Sequence, residues 1–208
     1  TSTLLPTPTS TPKPIPTPIP SPLPAGRIVS GDIAFYNGDY DTALDAYQLA
    51  FDLTSDNSIK ASALTMIGRI YYNQGLTEKA RSSLEIVVNN YEDPEALSMA
   101  YTYLGEIYTQ LDLPADAINA YQNYLKLKPG KLDDIFQEKL GDALTATSQY
   151  LAANTAYEAA INASPTRPTT WISFKIAANQ VKLGESTNAL QVYNYILVNT
   201  DSDYDRAQ

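Results

Sequence analysis

The stretch YLGEIYTQLDLPADAINAYQNYLKLKP, residues 103–129, decides the fold. Twelve residues after Gly105 stands Ala117, four later Tyr121 and three later again Tyr124, and Pro129 closes the run. Offsets of four and seven place Ala117, Tyr121 and Tyr124 on one face of a helix. A glycine in the preceding helix leaves room for a large side chain of the second helix, so the stretch predicts two helices in close contact.

Working outward, the same frame recurs. Gly31, Gly68, Gly105 and Gly141 are separated by 37, 37 and 36 residues, and Ala177 follows after another 36. Twelve residues beyond each come Ala43, Ala80, Ala117, Ala153 and Ala189, and four further on Tyr47, Leu84, Tyr121, Tyr157 and Tyr193. Gly38, Gly75 and Gly184 lie seven residues after the first series, where a turn between two helices falls. Pro94 sits at a helix start behind Asp93 as its cap, and Pro129 and Pro165 close units. Two departures stand out: Asn179 and Gln180 replace the apolar pair seen as Ile70 and Tyr71, and Asn154 stands where Leu44, Ile118 or Leu190 would be expected.

This pattern resembles the tetratricopeptide repeat, a helix-turn-helix unit of about 34 residues. The resemblance covers residues 25 to 200 and implies an all-α, right-handed solenoid of five repeats, at about 25–56, 57–93, 94–130, 131–166 and 167–200. Periods of 36 and 37 predict longer turns between repeats or extended first helices. The resemblance further implies a concave groove lined by the first helix of each repeat. Carried over position by position, its candidate residues are Phe35, Tyr36, Arg69, Tyr72, Asn73, Thr102, Glu106, Glu138, Asp142, Trp171 and Phe174. The Lys and Asn clamp of chaperone-binding members is missing, with Ile28 and Asp32 at its positions. A peptide-binding adaptor that uses the groove, with Trp171 and Phe174 as anchors, is one expectation.

Composition narrows the function. Without Cys or His the chain has no disulfide, thiolate, imidazole base or zinc cage. Its 23 acidic and 14 basic residues give a net charge of -9, which disfavours phosphate backbones and anionic lipid surfaces. No apolar run approaches the roughly 20 residues of a membrane helix. Glu138 and Asp142 read as a solvated acidic face, and Asp201, Asp203 and Asp205 fail as a calcium loop because Arg206 takes the glycine position. No catalytic group, metal or cofactor is expected.

The two ends carry the remaining expectations. Residues 1–24 hold nine prolines, nine Ser or Thr and a single charge, Lys13, and predict an extended arm or linker reaching roughly 75 Å at ~3.1 Å per residue. Such Thr/Pro tracts resemble the spacers of bacterial envelope proteins, which implies an extracytoplasmic or extracellular location. At the other end ALQVYNYILVN, residues 189–199, is apolar over a wide arc, and Asp201, Ser202 and Asp203 read as caps of a further first helix or tail over 201–208. An uncapped solenoid end invites a partner. The expected partner is another copy of the chain, docking head to tail on a face formed by Tyr193, Ile196, Leu197 and Tyr204, with the proline arm bridging subunits. The rival expectation is the helical arm of a larger envelope enzyme, similar to the N-terminal part of some lytic transglycosylases.

Overall fold

The computed structural model describes residues 23–164 and 168–206, and within them the chain is all-α. The helices pair as five hairpins: α1 (Pro24–Tyr36) with α2 (Tyr40–Leu53), α3 (Asn57–Asn73) with α4 (Thr77–Asn90), α5 (Pro94–Gln110) with α6 (Pro114–Leu127), α7 (Asp133–Ala146) with α8 (Tyr150–Ala163), and α9 (Thr170–Lys182) with α10 (Ser186–Arg206). Pro24 is the first residue of α1 rather than the last of the arm, a position where a missing N–H costs nothing. The rest of the predicted arm, and Pro165, lie outside the described residues.

Each hairpin closes through three residues, and the middle of the turn is left-handed every time. Gly38, Gly75 and Gly184 have φ of 78°, 72° and 81°, and the equivalent Asp112 and Ser148 adopt 56° and 60° without being glycine. The same pair of backbone bonds repeats: Gly38 N–H donates to Phe35 O and Asp39 N–H to Ala34 O, as Ser148 does to Thr145 O and Gln149 to Leu144 O. These bonds satisfy the carbonyls that a helix end leaves open. At helix starts, Asp93 accepts from Ala96 N–H at 2.9 Å and from Ser58 Oγ at 2.5 Å. Those donors hold its carboxyl below the usual range.

The interior is built on one contact. A methyl group placed on Gly31, Gly105 or Gly141 would sit 2.6, 2.3 or 2.4 Å from the ring of Tyr47, Tyr121 or Tyr157, and on Gly68 2.7 Å from Leu84. Three fully buried tyrosine rings thus lie directly against bare backbone. Their hydroxyls stay paired: Tyr47 donates to Asp32 and Tyr157 to Asp142, each at 2.7 Å, and Tyr121 lies 3.0 Å from Thr109 Oγ1. Burial raises the Tyr121 hydroxyl pKa to about 12 and raises those of Tyr47 and Tyr157 as well. Ala43, Ala80, Ala117, Ala153, Ala177 and Ala189 are buried beside these contacts.

The extra residues of the long period are spent in two ways. Repeats two and three lengthen their first helix to 17 residues, whereas repeats four and five keep shorter first helices of 14 and 13 residues. In those two, more residues separate the first helix from the preceding repeat, 128–132 and 164–169. At the C-terminus the expected break at Asp201 does not occur, and α10 runs unbroken to Arg206. No Gly or Pro follows Gly184, and Asp and Ser cap a helix only where the chain has already turned.

Candidate functional site

Two surfaces are candidates, the wall formed by the first helices and the exposed face of α10. Each second helix packs on the first helix of the next repeat, and α1 touches α3 as α3 touches α5, with no comparable contact between second helices among the described residues. Ion pairs carry the same neighbour relation from α5 to α7 and from α7 to α9, and the first helices form the inner wall of the solenoid.

The C-terminal half of that wall is held by ion pairs. Lys139 Nζ lies 2.6 Å from Glu106, and Lys175 Nζ lies 3.0 Å from Glu138 and 2.7 Å from Asp142. Partial burial opposes the charge of Lys175, but the bonds to Asp142 and Glu138 outweigh it and raise its pKa. The Trp171 indole N–H donates to Glu138 at 2.8 Å, and Phe174 lies 5.9 Å from the Tyr193 ring. The acidic face predicted at Glu138 and Asp142 is thus largely neutralised, as is Glu106, by two lysines absent from the candidate set. Both stand two residues before their repeat's small residue and meet an acid one residue after the preceding small residue.

The N-terminal half is aromatic. The Arg69 guanidinium lies 4.5 Å over the Phe35 ring, and Tyr72 and Tyr103 pack with centroids 5.1 Å apart. Gln110 Nε2 donates to the Tyr72 hydroxyl at 3.3 Å. Burial raises the Tyr103 pKa while the Arg69 charge draws it back. Tyr36 and Asn73 are exposed, and Thr102 is half-buried and turned to the backbone, its hydroxyl donating to Ser98 O at 3.0 Å. Phe35 is not a groove residue: it is 7% exposed, inside the first core cluster and beneath Arg69.

On α10 the candidate face divides differently from the expectation. Ile196 is 4% exposed and belongs to the interior, because it occupies the buried position of Ala50, Val87, Tyr124 and Ala160. Tyr193 is half-buried against Phe174, and the side chain of Tyr204 falls outside the described residues. Leu197 is 68% exposed, and Leu190 and Val198 join it. The two sequence departures turn out to be one feature. Buried Asn179 donates to Thr145 Oγ1 and to Asn154 Oδ1, both at 3.0 Å, which makes the joint between repeats four and five polar. Among the described residues no group of three potential metal ligands occurs, and no helix is long and apolar enough to cross a membrane.

The comparisons with known proteins agree with this architecture. A crystal structure of MamA superposes with a TM-score of 0.69 at 22% identity, covering 88% of this chain and 94% of that one. MamA 41-end from Desulfovibrio magneticus RS-1 gives 0.65 at 15% identity, covering 86% and 96%. YrrB, described as a TPR protein with an unusual peptide-binding site, gives 0.67 at 17% identity, covering 82% and 83%. At these identities the likeness is one of fold. No curated protein matches the sequence. The family model for the tetratricopeptide repeat-like domain matches residues 54–181, more than half of the chain, and the chain belongs to that family.

Proposed function

We propose that this chain is a non-catalytic scaffold whose copies associate head to tail, outside the cytoplasm of a bacterium. The fold supports protein–protein interaction in general. The finer reading rests on one observation: Leu190 and Leu197 of α10 are exposed, whereas Leu44 and Phe51, or Ile118 and Leu125, at the same positions of earlier repeats, are half-buried against the core that their repeat shares with the next. What fits such a surface is a first helix. At the opposite end α1 presents Val29 and Ile33, and Ile33 is 60% exposed where its equivalents Ile70 and Ile107 are fully buried.

The exposed faces of α10 and α1 thus match the two sides of an inner joint, and a contact repeated in one direction generates an open filament. The Thr/Pro arm leaves from the α1 end of that joint and is long enough to bridge it. The arm's composition supports the extracytoplasmic location, which cell fractionation tests. Electron microscopy of the purified full chain is expected to show filaments or regular oligomers. Dispersed single particles across the accessible concentration range would reject the reading.

A further inference from the structure

The aromatic half of the wall keeps exposed rings and a cation, Arg69, that bonds to Tyr103 and is balanced by no carboxylate among the described residues. Arg69 forms no ion pair among the described residues, and its Nε is buried with no hydrogen-bond acceptor. Around it Tyr36, Asn73 and Gln110 are exposed and Tyr72 and Tyr103 half-exposed. In the other half the lysines and the Trp171 indole are matched to carboxylates. The two halves of one wall therefore differ in what they can still bind. The N-terminal half fits an extended ligand that presents carbonyl groups and proline rings to aromatic side chains.

Residues 1–22 have that chemistry. They contain eight prolines, no acidic residue and only Lys13 as a charge. Proline supplies a carbonyl and no N–H, and a polyproline II segment makes no internal hydrogen bonds, so its carbonyls face outward. Extended proline-rich segments are recognised in aromatic-lined grooves. We infer that the wall formed by Tyr36, Arg69, Tyr72 and Tyr103 is the seat of the chain's own proline arm. Placement supports the assignment, because the arm joins the solenoid at Leu23, in the same repeat as Tyr36. The path back along the 13 residues of α1 is ~20 Å, and the step across to α5 is about as long again. Twenty-two residues at ~3.1 Å each span roughly 68 Å. Exchange of the same segment between copies would let it bridge a head-to-tail joint through identical contacts.

Because the chain has no cysteine, Ser10→Cys accepts a single nitroxide label in the full protein. Leu197→Asp in the background removes the head-to-tail contact, so that failure of the seat and failure of self-association are read separately. The label is expected to abolish the ring NMR signals of Tyr36, Tyr72 and Tyr103 while the Trp171 indole signal survives, and reduction of the label restores them. Adding Tyr36→Ala, which removes an exposed ring, is expected to return the Tyr72 and Tyr103 signals. Retention of all three tyrosine signals, or loss of Trp171 instead, would overturn the assignment. So would broadening that arises only when labelled chains are mixed with isotope-labelled ones.

Discussion

The second helices of repeats three and five carry the same pattern in different settings. In α6, Ile118 and Leu125 pack against the core that contains Phe136 and Leu140 of the following repeat. In α10, Leu190 and Leu197 are exposed. The inner contact differs as well. Tyr121 lies fully buried against Gly105, whereas repeat five has Ala177 at the glycine position and its Tyr193 is half-buried. Repeat five is therefore more loosely joined within, and the outer face of its second helix is exposed.

The largest expected effect breaks the inner half of this comparison. Tyr121→Ala removes a buried ring and its hydrogen bond and should cost about 3–5 kcal/mol in urea unfolding, with Tyr193→Ala costing roughly a third as much. Equal losses would mean that repeat five is as tightly packed as repeat three. Next, Gly105→Ala forces a methyl group into the Tyr121 ring and should lower stability by about 1–3 kcal/mol despite the better helix propensity of alanine. The reverse change, Ala177→Gly, should cost about 1–2 kcal/mol, the propensity difference plus the loss of a buried methyl group.

The same rings set an alkaline limit. A tyrosine whose folded pKa is raised stabilises the protein fully below its ordinary pKa near 10, and the contribution is lost as pH rises through the folded value. With Tyr121 at about 12, thermal stability should hold to pH 10 and fall between pH 10 and 12. In Tyr121→Phe that fall should be shallower. The smallest expected change is a gain. Asp112→Gly and Ser148→Gly relieve left-handed turns and should each raise stability by roughly 0.5–1 kcal/mol, measured by thermal melting. Gly75→Ala in the matching turn should lower it.

Much of this fold is legible in the sequence because each repeat needs a small residue facing a large one, and that demand returns at a nearly constant interval. The turns are legible where they contain glycine and hidden at Asp112 and Ser148, whose left-handed backbone no residue type announces. The wall was harder to read. Comparing equal positions across repeats passes over Lys139 and Lys175, whose acidic partners Glu106 and Asp142 stand 33 residues earlier and so three short of the period. Asn154 and Asn179 look like two separate flaws because their contact joins a second helix to the following first helix. Ile196 and Phe35 could be placed on the correct helices, but which side of an apolar arc turns inward depends on the neighbouring repeat.

Sedimentation velocity on the full chain and two exposed-leucine variants tests the central claim most directly. Leu197→Asp lies on the open α10 face, and Leu151→Asp places the same charge at a side chain of nearly equal exposure, 67% against 68%, on the outside of repeat four. The account predicts concentration-dependent assembly for the parent and for Leu151→Asp, and a folded monomer for Leu197→Asp. Assembly that survives Leu197→Asp, or a parent chain that stays monomeric, would contradict it.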